Sequence, residues 1–332
     1  MIVLTCVGII PRSVQPALAR TSAAKIRPVR PGALAVAPGG SPYIADDARN
    51  QIIEMLPGGG FKVVAGNGKA GFSGDGRQAI RAELHQPAGM VVVPDGTVYF
   101  ADMANNRIRE IAPNGRISTI VGNGKFGWVT SGTRARAATI LSPSAVAMGP
   151  DKRLYIADSG GNQVLRLETN GTLTQIAGNQ HYAGVYGAGH SAINASPDGP
   201  SGLAFDRAGN LYISGLNTKT LLMITPGGKM VLPMGIDGFY PRGDGGLVTR
   251  PNGNVIAMDE QRIVRLSPKG ARTILDLSRR RIDGVTGFQP NGLAVARDGT
   301  IFTDTWMGNG NASKTALIKI SPRGHVQVLW RS

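Results

Sequence analysis

The chain has 332 residues, with 36 Lys or Arg against 21 Asp or Glu, which gives a formal net charge of +15. So basic a protein favours anionic surroundings such as cell-envelope polymers or nucleic acid. Only 17% of the residues are charged, yet no apolar run is long enough to cross a bilayer as a helix. The single cysteine excludes a disulfide-stapled small domain.

Residues 1–19 have the features of a signal peptide. An apolar stretch runs from Ile2 to Ile10, and Ala17-Leu18-Ala19 supplies small residues at the two positions that signal peptidase reads. The usual basic start is missing. We expect residues 1–19 to be a signal peptide and residues 20–30 to be a lead-in. The mature chain would then be secreted or periplasmic, without cysteine and without a membrane span.

From residue 31 to residue 332 one unit recurs six times. The unit reads as a Pro-x-Gly start, an apolar run, a Gly turn, a Tyr-Ile-Ala-Asp stretch, and two further strands joined by a second Gly turn, and the copies vary around this pattern. Units of this length with four short strands, here named A to D, predict an all-β fold. We expect one domain, a six-bladed β-propeller of four-stranded antiparallel blades. The units start at Pro31, Pro87, Pro143, Pro200, Asp244 and Pro290.

The strands differ in pattern as a propeller requires. Strand A is a nearly continuous apolar run, such as Met90 to Val93, which suits an innermost strand covered on both faces. Strand C alternates, as in "NRIREI", and this predicts one packed face and one wetter face. Gly-containing turns between A and B and between C and D predict tight hairpins on one face of the ring.

A triplet at the start of strand C carries a family resemblance. It reads Asn50-Gln51-Ile52, Asn106-Arg107-Ile108 and Asn162-Gln163-Val164 in the first three blades. These triplets resemble the NHL repeat, which is named for Asn-His-Leu at this place. Blades 4 to 6 depart from the triplet. The segment "GNGKAGFSGDGRQAIRAEL" is also similar to a linker of bacterial NHL proteins, and the resemblance implies six blades.

The opposite face carries the long connections between blades. They are Lys69 to Gln86, Lys125 to Ser142 and Gln180 to Gly199, while blade 6 has the longest B–C loop, "TWMGNGNASKTA". Loops on a rigid scaffold are where binding residues gather. We expect a binding scaffold with this long-loop face as its site. An equally open alternative is that the connections only cap the blades, with "RQAIRAEL" as a short packing helix.

The expected partner is a protein, a peptide or an anionic cell-envelope polymer, and we expect a monomer that needs no cofactor. The residues predicted to touch the ligand are Trp306, Asn309, Asn106, Arg107 and His181. By contrast, Asp46, Asp102, Asp158 and Asp259 recur at the end of strand B. Recurrence predicts turn and backbone hydrogen bonding for them, since a catalytic residue would occur once.

An enzyme is the first alternative. The segment "QPNGLAVARDGTIFTDT" resembles the senescence-marker-protein/gluconolactonase family, whose channel metal is held by Glu, Asn and Asp. The resemblance places Asn291 at the Asn ligand position, but "PGALAV" opens blade 1 without Glu and Ser201 stands where Asp is expected. The alternative is thus a metal-dependent lactonase, esterase or lyase with a divalent cation such as Ca²⁺. The four histidines match no metal-binding spacing.

RNA binding is the second alternative, because some NHL propellers bind RNA on a basic face. In this chain the cations are spread around the sequence, with Arg279-Arg280-Arg281 as the one dense cluster. Aromatic residues, which would stack on bases, make up only 5% of the chain. A nucleic-acid partner is not expected if the protein is exported.

Overall fold

The computed structural model describes residues 31–178, 189–197, 199–215, 221–233, 246–250, 252–259, 261–277, 289–307 and 314–331. Its strands form six four-stranded antiparallel sheets, which confirms the six-bladed propeller. Among these residues, no helix is long and apolar enough to cross a membrane.

The strands run in chain order from the channel outward in every blade. Blade 1 has β1 (Pro31–Val36), β2 (Pro42–Asp46), β3 (Gln51–Met55) and β4 (Phe61–Ala65); blade 2 has β5 (Pro87–Val92), β6 (Val98–Asp102), β7 (Arg107–Ile111) and β8 (Ile117–Val121); blade 3 has β9 (Pro143–Met148), β10 (Leu154–Asp158), β11 (Gln163–Leu167) and β12 (Leu173–Ala177). Blade 4 has β13 (Pro200–Phe205), β14 (Leu211–Gly215), β15 (Leu221–Ile224) and β16 (Met230–Val231); blade 5 has β17 (Leu247–Thr249), β18 (Val255–Met258), β19 (Arg262–Ser267) and β20 (Gly270–Asp276); blade 6 has β21 (Gln289–Val295), β22 (Ile301–Met307), β23 (Lys314–Ile320) and β24 (Val326–Arg331).

The inner strands begin earlier than the apolar runs suggested. β1, β5 and β9 start at the prolines themselves, three residues before the apolar run. In β1 and β5 the pairing register with the second strand shifts just after the proline, as at a β-bulge. A bulge admits a proline followed closely by glycine into a strand because the irregular residue needs no ladder partner. The predicted blade 5 start at Asp244 lies outside the described residues.

The hydrophobic core is divided among the junctions between blades. Six clusters of buried side chains lie around the ring, and each joins two neighbouring blades. The cluster between blades 1 and 2, for example, contains Ile52, Leu84, Phe100 and Ile117, all buried. Each fully buried side chain of this size contributes about 1.5–3 kcal/mol relative to exposure. A blade alone buries only part of this surface, so the ring is the stable unit.

The ring closes by packing of the first blade on the last. Strands β1 and β21 are neighbours, and one cluster joins Leu34 and Ile44 to Phe302 and Leu317. At the outer edge, Trp330 meets the Phe61 ring edge-on, with the ring centres 6.0 Å apart. All four strands of blade 6 come from the C-terminal end of the chain. The other way to close such a ring would be a strand added by the lead-in segment "KIRPV", residues 25–29, which lie outside the described residues.

The long connections contain one 3₁₀ turn each. These turns are Ala79–Arg81, Ala135–Ala137 and Ala192–Asn194. The first residue of each turn is a buried alanine, and the turns pack on the outer strands β4, β8 and β12. The short helix expected in "RQAIRAEL" is therefore one turn of 3₁₀ helix. It fills the junction between two blades at the outer side of the ring.

Candidate functional site

Three asparagines hold the long-loop face together. Asn50, Asn106 and Asn162 each adopt a left-handed backbone conformation, with φ of 53°, 51° and 50°. Their side-chain oxygens accept the backbone N–H that precedes the inner strand of the next blade, at 2.9 Å for Asn50, 2.9 Å for Asn106 and 2.7 Å for Asn162. Asparagine tolerates this conformation better than most residues. The first residue of the triplet therefore links consecutive blades.

The recurrent aspartates bind backbone, as predicted. Asp102 accepts the N–H of His85 at 2.8 Å, and Asp158 accepts the N–H of Leu141 at 2.7 Å. Asp259 likewise accepts backbone N–H groups of its own turn. These carboxylates fix the chain as it enters an inner strand or turns after the second strand. Their repetition has a structural cause.

A buried arginine fastens the first long connection to blade 2. The Arg109 side chain is fully buried and donates to the Asp75 carboxylate at 2.7 Å and to the carbonyl of Ser73 at 2.8 Å. It also approaches the carbonyl of Glu83 and the buried Asp102 carboxylate, at 3.2 and 3.4 Å. A buried cation is tolerated only with such partners. Arg109 therefore gives the connection a fixed path over the blade.

An aromatic and cationic patch lies on this fixed path. The Arg107 guanidinium stacks on the Phe72 ring, 3.6 Å from its centre, and donates to the carbonyl of Asn123 at 2.9 Å. Two and three residues beyond Asn123 come Lys125 and Phe126, both exposed. Phe72 is 41% exposed and Phe126 is 75% exposed. We call Phe72, Arg107, Lys125 and Phe126 the face patch.

The predicted site residues are distributed unevenly over the structure. Arg107 belongs to the face patch. Asn106 lies beside it, with its side-chain oxygen occupied by the link to Ser142. The backbone of Trp306 pairs within β22, while Asn309 and His181 lie outside the described residues. The contact of these residues with a ligand stays a prediction.

The central channel is narrow and apolar where the structure describes it. A cavity of about 260 Å³ is lined by the inner strands, with these side chains at the matching position of each: Leu34, Met90, Val146, Leu203, Leu247 and Leu293. Thr249 is the one polar side chain among the described lining residues. Such a wall supplies packing rather than reactive groups.

The candidate metal ligand Asn291 lies in β21, at the irregularity between Pro290 and Leu293. Ser201, which stands at a ligand position of the resembling family, bonds to the carbonyl of Ser214 at 3.1 Å. Within the ranges that the structure describes, no group of three or more His, Cys, Asp or Glu could hold a metal ion. The role of Asn291 as a metal ligand remains a prediction.

Sequence reasoning missed Arg109, Phe72 and Phe126. A signal was available for Arg109, because Ile53 and Leu165 occupy its position in blades 1 and 3. A residue that departs from the repeat pattern is not required by the structure of the blade and therefore needs another explanation. The two phenylalanines gave no comparable signal, because their exposure depends on contacts between distant segments.

Comparisons with known proteins agree with the repeat. A family model described as the Teneurin NHL domain matches residues 51–130. Teneurin-3 of Mus musculus is 27% identical over 259 residues, 69% of this chain and 9% of that protein. Teneurin-4 of Homo sapiens is 30% identical over 179 residues, 49% of this chain and 6% of that protein. The chain thus spans less than a tenth of the length of these relatives.

Solved structures share the architecture. A gluconolactonase from Xanthomonas campestris superposes with a TM-score of 0.57 at 13% identity, covering 86% of this chain and 85% of that one. A streptogramin B lyase gives a TM-score of 0.56 at 13% identity, with 91% and 83% covered. At such identities the likeness is one of fold alone.

Proposed function

The chain is an NHL-repeat six-bladed β-propeller, and on this premise we propose that it is a binding scaffold whose face patch docks a protein or peptide. The observation that carries the proposal is the exposed Phe72 stacked on Arg107, which also binds the carbonyl of Asn123, three residues before the exposed Phe126. Phenylalanine and arginine are both among the residue types enriched at the cores of protein interfaces. Teneurin relatives, matched over the repeat region, are consistent with a propeller used as a module of a larger assembly.

Preorganisation supports the same proposal. Arg107 is held by the carbonyls of Asn105 and Asn123, at 2.7 and 2.9 Å, so its side chain has lost its freedom before a partner arrives. Phe72 is held under it by stacking. Groups that are already ordered cost less entropy on binding. A ligand would then gain contacts from a surface that needs little rearrangement.

The charge of the patch defines the partner further. Arg107 and Lys125 are its two charged side chains, and both are cations in a protein of net charge +15. The partner that fits is a segment with one or two apolar side chains beside Asp or Glu. Opposite charge speeds the encounter, while the rings supply most of the affinity.

Selection from a displayed random-peptide library tests the proposal. The wild-type chain should enrich acidic peptides that contain an aromatic or aliphatic residue. The variants Phe126→Ala and Arg107→Gln install the residues that blade 1 has at the matching positions, Ala70 and Gln51. Each should weaken binding of an enriched peptide by about tenfold, which is roughly 1.4 kcal/mol.

The control is Ile274→Ala, which removes another exposed apolar side chain, 45% exposed, from an outer strand. It should bind the enriched peptide as the wild type does. Enriched peptides that bind all three variants equally, or no enrichment at all, would refute the face patch as a docking site.

The channel-enzyme alternative gains no specific support from the described residues, because the side chains that line the channel are apolar apart from Thr249.

We propose further that binding takes place outside the cytoplasm. The leader-like sequence of residues 1–19 supports this location. Fractionation of the native host should recover the protein in an extracytoplasmic fraction, and recovery in the cytoplasm alone would contradict it.

A further inference from the structure

Three arginines line a pocket at the outer junction between blades 1 and 2. The pocket has a volume of about 640 Å³ and is lined by Ser73, Gly74, Arg77, Gln78, Arg81 and Arg116. Two segments form it. One is the connection around the 3₁₀ turn Ala79–Arg81, and the other is the turn that leads into β8. We call it the arginine pocket.

The backbone holds these two segments together. The N–H of Ala79 donates to the carbonyl of Gly115 at 2.8 Å, and the N–H of Gly76 donates to the carbonyl of Ile117 at 2.7 Å. Gln78 and Arg116 form an isolated antiparallel bridge. The positions from which the arginine side chains project are therefore fixed by the fold.

The arginine pocket lacks a balancing negative charge. None of its lining residues is acidic. Asp75, two residues before Arg77, is engaged by the buried Arg109 at 2.7 Å. Within the part of the chain that the structure describes, Arg77, Arg81 and Arg116 have no carboxylate within 4.0 Å. Three like charges around one pocket raise one another's energy, and an anion bound in the pocket would relieve this.

The next junction shows that the fold does not need these cations. Its 3₁₀ turn, Ala135–Ala137, and its bridge between Arg134 and Thr172 match the first junction position by position. At the places of Arg77, Arg81 and Arg116 it has Thr133, Ala137 and Thr172. The equivalent pocket of the next junction is lined by Arg134, Arg136 and the acidic Glu168. Cations at these three positions, with no acidic residue among the lining, are thus peculiar to the first pocket.

We propose that the arginine pocket binds a doubly charged oxyanion, phosphate or sulfate, either free or as an ester on a larger molecule. Guanidinium groups suit such oxyanions, because their planar N–H donors match two oxygens at once. All three side chains are exposed, so little desolvation opposes binding. The affinity should be modest and should fall as salt is added.

Isothermal titration with inorganic phosphate and with inorganic sulfate, at low ionic strength, tests the proposal. The variant Arg77→Thr, Arg81→Ala and Arg116→Thr installs the residues of the next junction. It should bind the oxyanion at least about tenfold more weakly than the wild type, the loss expected for removing charge-assisted hydrogen bonds. Binding of phosphate alone would indicate a phosphoryl ligand, and binding of sulfate alone a sulfate ester; both outcomes support the pocket.

The matched control removes the same number of charges elsewhere, as Arg136→Ala, Arg265→Ala and Arg272→Ala, three exposed arginines. It should keep the wild-type affinity. Equal weakening in both triple variants would mean that only net charge matters, and the absence of saturable binding to the wild type would overturn the proposal. The single variant Arg81→Ala, which should bind more weakly than the wild type, decides the question if the first triple variant does not fold.

Discussion

Asp102 and Asp158 stand at the same position of blades 2 and 3 but have different neighbours. The Oδ2 atom of Asp102 accepts a hydrogen bond from the Asn105 side-chain amide at 2.9 Å and lies 3.4 Å from the Arg109 guanidinium. At the matching positions blade 3 has Gly161 and Leu165. The Oδ2 atom of Asp158 is accordingly buried without a hydrogen-bond partner among the described residues. Burial raises the pKa of Asp158 to about 8, and the N–H of Leu141 offsets this only in part.

The pKa of Asp158 makes stability depend on pH. Because its folded pKa of about 8 lies above the ordinary value of 3.8, the folded state holds the proton more tightly than the unfolded state. The contribution of protonated Asp158 to the free energy of unfolding is therefore complete below about pH 4. It is lost as the pH rises towards 8. Asp158→Asn imitates the protonated acid. Its free energy of unfolding should exceed that of the wild type by about 3–6 kcal/mol at pH 8, and hardly at pH 4.

Urea unfolding at pH 2, 4, 6 and 8 measures this difference. Asp298→Asn is the control, because hydrogen bonds from Thr300 lower the pKa of the exposed Asp298 carboxyl. That variant should lose a little stability at neutral pH and lose none at pH values well below 4. An Asp158→Asn variant less stable than the wild type at pH 8 would mean that the carboxylate is needed in its charged form.

At the scale of elements, the glycine that ends the outer strand is tied to the asparagine link. Gly122 has a φ of 93°, and a Cβ added there would lie 2.3 Å from the carbonyl oxygen of Asn106. Gly132 has nearly the same φ, 91°, but nothing within 4 Å of the corresponding Cβ. Comparing an alanine substitution at Gly122 with one at Gly132 therefore separates the cost of the left-handed backbone from the cost of the steric clash.

Alanine at these two glycines should have unequal effects. Gly132→Ala should lower the free energy of unfolding by about 1 kcal/mol, because only the left-handed conformation opposes it. Gly122→Ala should cost about 3 kcal/mol or more, because backbone must also move. Chemical denaturation of both variants checks the order. Equal losses would show that the outer strand and the Asn106 loop separate freely.

The strands and turns were predictable wherever the copies of the sequence repeat agree with one another. Six copies of one pattern gave the strand count, the blade count and the positions of the tight turns, because each copy confirms the others. The start of the inner strands was placed too late, since a bulged Pro-x-Gly does not look like a strand. Arg109 could have been noticed, because a charged residue interrupts a position that is apolar in blades 1 and 3.

At the scale of the molecule, the six clusters between blades make a rigid ring that presents loops on one face. The face patch was not predictable as a surface, because Phe72 meets Arg107 across 35 positions of sequence and Asn123 joins them from the next connection. The arginine pocket likewise joins a connection to a turn about 40 residues away. Long-range contacts of this kind appear only once the blades are packed.

Photo-crosslinking in the native host would test most directly that the propeller works by binding through the face patch. A photoreactive phenylalanine analogue would replace Phe126 in one variant and the exposed Ile274 in another. A discrete adduct with a partner protein is expected from position 126 and not from position 274, and Arg107→Gln should diminish it. No adduct from position 126, or the same adducts from both positions, would contradict the assignment of this face as the binding surface.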